Sequence, residues 1–306
     1  MRQRRLGSSD LNVSEMGLGC MSLGTNEKEA ARIIKTALDA GINYFDTADL
    51  YDFGRNEEIV GKTLKSVRGQ VVIATKVGNR WNESKDSWSW DPSGAYIKKA
   101  VKDSLKRLAT DYIDLYQLHG GTTEDNIDET IGAFEDLKKE GVIRYYGISS
   151  IRPNVIKQYV KKSGLVSVMM QYSLLDRRPE EWMPLLSENN IHIVARGPVA
   201  KGLLSDKMFE KASNTVKEQG FLDYSYAELE ELLPALKDKL SPRYMNEIAL
   251  QYVLSHKAVG AVIPGASSIE QLRENCRALN AAPLSEEEIT LLKKLTKAST
   301  YETHRD

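Results

Sequence analysis

The chain has 306 residues, 41% hydrophobic and 28% charged, which is enough for one large α/β domain or two small ones. Its 42 basic and 43 acidic residues leave a formal charge of −1, so nothing marks a nucleic-acid or membrane surface, and the basic start at Arg2–Arg5 reads as a strand of a small hairpin. No apolar run approaches the ~18 residues of a membrane span, no signal-peptide pattern opens the chain, and two cysteines are too few for a disulfide framework or a cysteine metal site, so a cytoplasmic location is expected.

In chain order, Met16–Met21 reads as a short apolar strand ending near Cys20, a plain buried thiol. Lys28–Ala40 repeats Ala30, Ile33, Ile34, Ala37 and Leu38 at helical spacing and is closed by Gly41. Tyr44–Ala48 predicts a second strand, Asn56–Val67 a helix and Val71–Lys76 a third strand. The loop after it is long and carries Trp81, Trp88 and Trp90, a substrate wall or a packed surface loop. Asp91 and Pro92 then read as N-cap and first-turn proline of a helix ending at Leu108. Ile113–His119 is a fourth strand, within which Asp114 reads as structural, and a helix over Ile127–Glu140 follows. Tyr145–Ser150, Val166–Gln171 and Ile191–Arg196 predict strands five to seven, with helices over Pro153–Lys162 and Glu180–Glu188 between them. Helices are expected near Tyr226–Lys239 and Pro242–Ser255, then an eighth strand at Gly260–Gly265 and a helix over Ile269–Leu279. The last helix, Ser285–Lys297, opens on a capping box from Ser285 to Glu288.

Eight mostly apolar strands, each followed by a helix, predict a parallel sheet covered by helices, and closing it gives an α/β fold of the (β/α)8 TIM-barrel type. An N-terminal β-hairpin and additional C-terminal helices are expected around it. The alternative, an open doubly wound sheet, needs a glycine-rich fingerprint that the glycines of Gly17–Gly24 do not complete. No linker divides the chain, so residues 1–306 read as a single domain.

Asp46, Tyr51, Lys76 and His119 stand at or just past the ends of three successive strands, which in a parallel barrel open on one face. An ammonium beside a phenol favours the phenolate and makes the phenol a better acid, and a buried lysine needs a counter-ion. The set therefore suits protonation of a carbonyl oxygen by Tyr51, with Lys76 tuning it, Asp46 pairing Lys76 and His119 donating to the substrate. None of these side chains is a hydride source, so a reducing cofactor is implied. A Schiff-base lyase using Lys76 is a rival reading. No metal is expected, because no ligand cluster at metal spacing is present.

The segments LGSSD (6–10), GLGCM (17–21), FDTADLY (45–51), NEEIVGK (56–62), ATK (74–76), YIDLYQLH (112–119), GVIRYYGIS (141–149) and IPGASSIEQLREN (263–275) together are highly specific. By them the chain resembles the aldo-keto reductases over nearly its whole length, most of all bacterial members of the branch that includes potassium-channel β subunits. The resemblance implies an NADPH-dependent reductase of aldehydes, and of some ketones, used in reactive-aldehyde detoxification, with NADH as the second cofactor choice. It assigns the acid role to Tyr51, its tuning to Lys76 and Asp46, and the carbonyl to His119. It also implies cofactor contacts from Met21 and Asp46, the carboxamide on Ser149 and Gln171, and the pyrophosphate in the stretch Gly197, Pro198, Val199, Ala200, Lys201 and Gly202, with Lys207 as a clamp. Gly265, Ala266, Ser267, Gln271, Glu274 and Asn275 would surround the adenosine.

The chain departs from this pattern at four places. Arg196 stands where an aromatic is usual, and a guanidinium stacked there would disfavour the oxidised ring. Gly120 and Gly121 replace bulk after His119, which predicts a wide pocket. Ser267 replaces a cation, and Asp52 follows Tyr51 in place of glycine. The expected partner is a small carbonyl compound, with no nucleic acid or membrane, and the chain is expected to be a monomer or weak homo-oligomer. A nucleotide-sensing protein with vestigial activity is the other function the resemblance allows.

Overall fold

The computed structural model describes residues 1–305 (for Lys211, the backbone only). The chain opens with β1 (Gln3–Arg5) and β2 (Asn12–Ser14), an antiparallel hairpin. Then come β3 (Leu18–Gly19), α1 (Glu27–Asp39), β4 (Tyr44–Asp46), α2 (Arg55–Leu64) and β5 (Val72–Val77). A second hairpin, β6 (Asn79–Trp81) and β7 (Trp88–Trp90), precedes α3 (Gly94–Leu108), β8 (Ile113–Leu118), α4 (Ile127–Lys139), β9 (Ile143–Ser149) and α5 (Pro153–Lys162). The chain continues through β10 (Ser167–Gln171), α6 (Met183–Glu188), β11 (His192–Arg196), α7 (Asn214–Gln219), α8 (Tyr226–Lys239) and α9 (Met245–Ser255). It ends with β12 (Val259–Ile263), α10 (Ile269–Asn280) and α11 (Glu286–Leu295).

Eight parallel strands run in the order β3-β4-β5-β8-β9-β10-β11-β12. Parallel bridges from Met16 to Val262 and from Gly19 to Gly265 join the last strand to the first, which closes a (β/α)8 barrel. Strands buried on both faces explain the near-continuous apolar runs. One face packs on the helices. The other fills the barrel interior with Tyr44, Val72, Leu115, Met169 and Val194, joined by Leu6, Leu11 and Val13, so the N-terminal hairpin plugs one end. At the opposite end the strands deliver the loops that carry the site. Buried Asp114 is structural, as expected: it accepts from the Ile73 amide at 3.0 Å and pairs with Arg68 and Arg144 at 2.7 and 3.1 Å.

Several local expectations need correction. Only Leu18–Gly19 of the first predicted strand is a strand, because the chain turns into a 3-10 segment at Cys20–Leu23, with Cys20 buried. The cap of α3 is Ser93, whose Oγ accepts from the Tyr96 amide, while Asp91 instead accepts from Ser93. Arg178–Trp182 is 3-10 and only Met183–Glu188 is α-helical, and Lys65–Gln70 after α2 is likewise 3-10. The tryptophan loop is a hairpin pairing Trp81 with Trp88 and Asn79 with Trp90. The capping box at Ser285 forms as expected.

Candidate active site

Strand register brings the quartet together. Asp46 pairs across to Ala74, Lys76 lies beside Gln117, and His119 follows β8 directly. Lys76 is fully buried, and its ammonium donates to Asp46 Oδ1 at 2.6 Å, the Thr47 carbonyl at 2.8 Å and Tyr51 Oη at 3.1 Å. Those three bonds use all its protons. Burial pulls the Lys76 pKa down, but the Asp46 carboxylate and the Tyr51 oxygen outweigh it, and the pKa ends above its ordinary value. A charged, saturated amine with no opening to the cavity is no Schiff-base nucleophile. Because Tyr51 Oη accepts from Lys76, its own proton is free to point into the cavity.

Gln117 was not singled out from sequence. It donates from Nε2 to Asp46 Oδ2 at 3.3 Å and so fixes the carboxylate from its other side. Its one sequence signal is its place two residues before His119, on the same strand face. His119 packs edge-on against the Tyr51 ring, with centroids 6.0 Å apart. Burial, then Lys76 and Arg196, pull its pKa down to about 3. Its Nδ1 is sealed and has no hydrogen-bond partner, so a proton there would be unsatisfied, and the neutral ring carries its proton on Nε2. Asp49 is buried without a hydrogen bond to either carboxylate oxygen, and burial, then Glu57, push it well above the usual carboxylate range.

One cavity of about 1020 Å³ runs across the open end of the barrel. Of the quartet, Asp46, Tyr51 and His119 line it, and Lys76 stands behind them. Met21, Ser149, Gln171, Arg196, Gly197, Pro198, Val199, Ala200, Lys201, Gly202, Gly265, Gln271, Glu274 and Asn275 line it as well. Lys207, Ala266 and Ser267 do not: Lys207 and Ser267 are exposed and Ala266 is buried. Sequence reasoning passed over Ser22, Asn79, Ser150, Ile151, Arg152, Ser205, Phe221 and Asn246, which also line the cavity, Asn79 from β6, Asn246 from the first turn of α9 and the others from connections whose course no local pattern predicts.

Gln171 sits in a relay. Its Nε2 donates to Asp176 at 3.0 Å and its Oε1 accepts from Arg196 Nη1 at 3.1 Å. Asp176 is buried and takes two bonds from Arg178, at 2.7 and 2.8 Å. Since a carboxylate only accepts, the amide of Gln171 cannot turn over. Among the described residues Arg196 makes no ion pair, so it is tied to an amide and not to a carboxylate. Of the three tryptophans, Trp88 and Trp90 line the cavity, whereas Trp81 packs on Phe53. Trp90 is held by a 2.9 Å bond to Asp125 and by two glycines: a Cβ on Gly78 or Gly120 would come within 2.6 or 3.0 Å of its ring. The gap at Gly120 is thus filled by Trp90, which narrows the pocket that the sequence suggested would be wide.

The cavity fits an extended nicotinamide dinucleotide. It is long, has an amide of fixed orientation near the catalytic end, and passes turns with φ of +64° and +94° at Gly197 and Gly202. At Gly265 a Cβ would lie 2.4 Å from Ser22 Oγ, so the serine side chain would have to turn to admit one. Among the described residues no group of His, Cys, Asp or Glu could hold a metal ion, and no helix is long and apolar enough to cross a membrane.

Comparison with known proteins agrees with this geometry. The aldo/keto reductase family profile matches residues 15–297. The oxidoreductase YqkF of Bacillus subtilis (strain 168) is 62% identical, with both chains covered in full. The NADH-specific methylglyoxal reductase of Escherichia coli (strain K12) is 32% identical over 97% of this chain and 99% of its own length. Among solved structures, the holo form of aldo-keto reductase AKR11C1 from Bacillus halodurans superposes with a TM-score of 0.94 at 58% identity, both chains fully covered.

Proposed function

The chain belongs to the aldo/keto reductase family and is an oxidoreductase, and within that family we propose that it reduces aldehydes with NADPH, Tyr51 giving the proton. The observation that carries the reading is the Asp46–Lys76–Tyr51 chain of 2.6 and 3.1 Å bonds at the cavity wall, with His119 beside it. The hydride for the carbonyl carbon is supplied by the reduced nicotinamide when it is bound. Gln171 and Ser149 would hold its carboxamide, Arg196 would stand beside its ring, and the turn from Gly197 to Gly202, with Lys201, would receive the pyrophosphate. His119 donates from Nε2 to the substrate oxygen and orients it toward Tyr51. Lys76 then carries a charge beside the phenolate that Tyr51 leaves, and its salt bridge to Asp46 keeps that charge in place.

NADH is the second reading. Glu274 lines the cavity at the α10 end, where a carboxylate suits an unmodified ribose hydroxyl, and one relative is named as NADH-specific. Fluorescence titration with both cofactors, followed by turnover of an aldehyde panel, tests the proposal. The expected result is tighter NADPH binding, with turnover lowered about 10²–10⁴-fold in Tyr51→Phe while cofactor affinity stays put. Binding with no turnover would instead support a nucleotide sensor. Reactive-aldehyde detoxification is the use we propose for the activity.

A further inference from the structure

The substrate end of the cavity holds a cation that the proposed reduction leaves idle. Arg152 follows β9, with its amide on Ser150 Oγ at 3.2 Å, and its guanidinium is pinned by a 2.8 Å bond from Nη1 to the Gly121 carbonyl. Gly121 lies two residues past His119, so this bond turns the guanidinium toward the β8 loop and not toward the turn at Gly197–Gly202. One bond occupies one of five guanidinium N–H groups. Arg152 is half-buried and lines the same cavity as Tyr51 and His119.

The charges around the cavity decide what that cation meets. Among the described residues, two carboxylates line the cavity, Asp46 and Glu274. Asp46 is bound by Lys76 and Gln117, and Glu274 is on α10, across the barrel from β9. The other lining cations have work elsewhere: Arg196 is bonded to Gln171, and Lys201 is in the turn after β11. Glu124, an acid close enough for Arg152 to lower its pKa, is exposed, bonded to Thr122 and outside the cavity wall. A half-buried guanidinium facing a pocket without a counter-ion favours an anion arriving from solution.

We propose that Arg152 forms an anion subsite at the substrate end, so that the preferred substrates are aldehydes carrying a carboxylate some atoms away from the carbonyl. This rests on the reductase reading. Arg152 is a specificity residue in it and touches no reacting atom.

The test compares 4-oxobutanoate with its uncharged methyl ester, in the parent and in Arg152→Gln and Arg152→Lys. The parent should prefer the acid by about tenfold or more in kcat/KM, the scale of one charge-assisted hydrogen bond. Arg152→Gln should erase that preference through KM, with a much smaller change for the ester, and Arg152→Lys should restore part of it. Equal losses for acid and ester would mean that Arg152 only holds the Gly121 loop, and would overturn the subsite. Calorimetry with succinate, which has the carboxylates but no carbonyl, separates the two ideas. Succinate bound by the parent and not by Arg152→Gln upholds the subsite even if no aldehyde is turned over, in which case the reductase reading falls. No succinate binding, with ester and acid reduced equally, removes the subsite and leaves the reductase reading standing.

Discussion

The neutrality of His119 can be tested by folding alone, without substrate. Burial, with help from Lys76 and Arg196, takes its pKa to about 3, whereas an unfolded chain leaves a histidine near its ordinary ~6.5. Between those values the unfolded state binds a proton that the folded state refuses. Stability is therefore intact above about pH 6.5, falls as the pH drops below it, and stops falling near pH 3. At pH 5 the unfolded histidine is almost wholly protonated and the folded one almost wholly neutral, which costs about 2 kcal/mol relative to pH 8. Carried down to pH 3 the loss approaches 4–5 kcal/mol, at about 1.4 kcal/mol for each unit of pKa difference. Other groups titrate over the same range, so the assay is a double difference: urea unfolding of the parent and of His119→Gln, each at pH 8 and pH 5. The parent should lose about 2 kcal/mol more than the variant on acidification. The pH profile of kcat should show no limb from His119 between pH 5 and 8. Equal losses in the two proteins would mean that the folded histidine protonates near its ordinary pKa, and the account of it as a neutral Nε2 donor would be wrong.

Two further substitutions probe the cofactor end. Asp176→Ala leaves Arg178 and the Gln171 Nε2 without their partner, so urea unfolding should show a loss of about 2–4 kcal/mol and cofactor titration a severalfold weaker affinity. A stability loss with unchanged cofactor affinity would show that the relay does not position Gln171. Arg196→Tyr removes the cation that we propose stands beside the nicotinamide ring. At an effective dielectric of ~20 two like charges ~4 Å apart repel by roughly 4 kcal/mol before screening. Even a small part of that should tighten NADP⁺ severalfold, with a smaller change for NADPH, when both are titrated. Unchanged NADP⁺ affinity would rule out the stacked arrangement.

Much of this protein can be read locally. The period of apolar residues marks nearly every helix and strand, because burial on one face or on both imposes it on the sequence itself. Strand ends are local too, so Asp46, Tyr51, Lys76 and His119 stand out once a parallel barrel is inferred, and the segment resemblance adds the trough from Met21 to Asn275. What the sequence does not hold is which side chains meet across it. Gln117 reaches Asp46 from 71 residues away, and Asp176 fixes an amide whose other end meets Arg196. Ser93 takes the cap of α3 from Asp91. Trp90 occupies the space that Gly120 leaves, and Lys207 and Ser267 fall outside the wall. Each outcome depends on rotamers and loop paths selected by packing among distant elements, and such competition leaves no periodic trace in the chain. The sequence by itself determined the barrel and its four catalytic candidates. Only the tertiary structure decided how tightly those groups are tied, and which cation stands unpaired beside them.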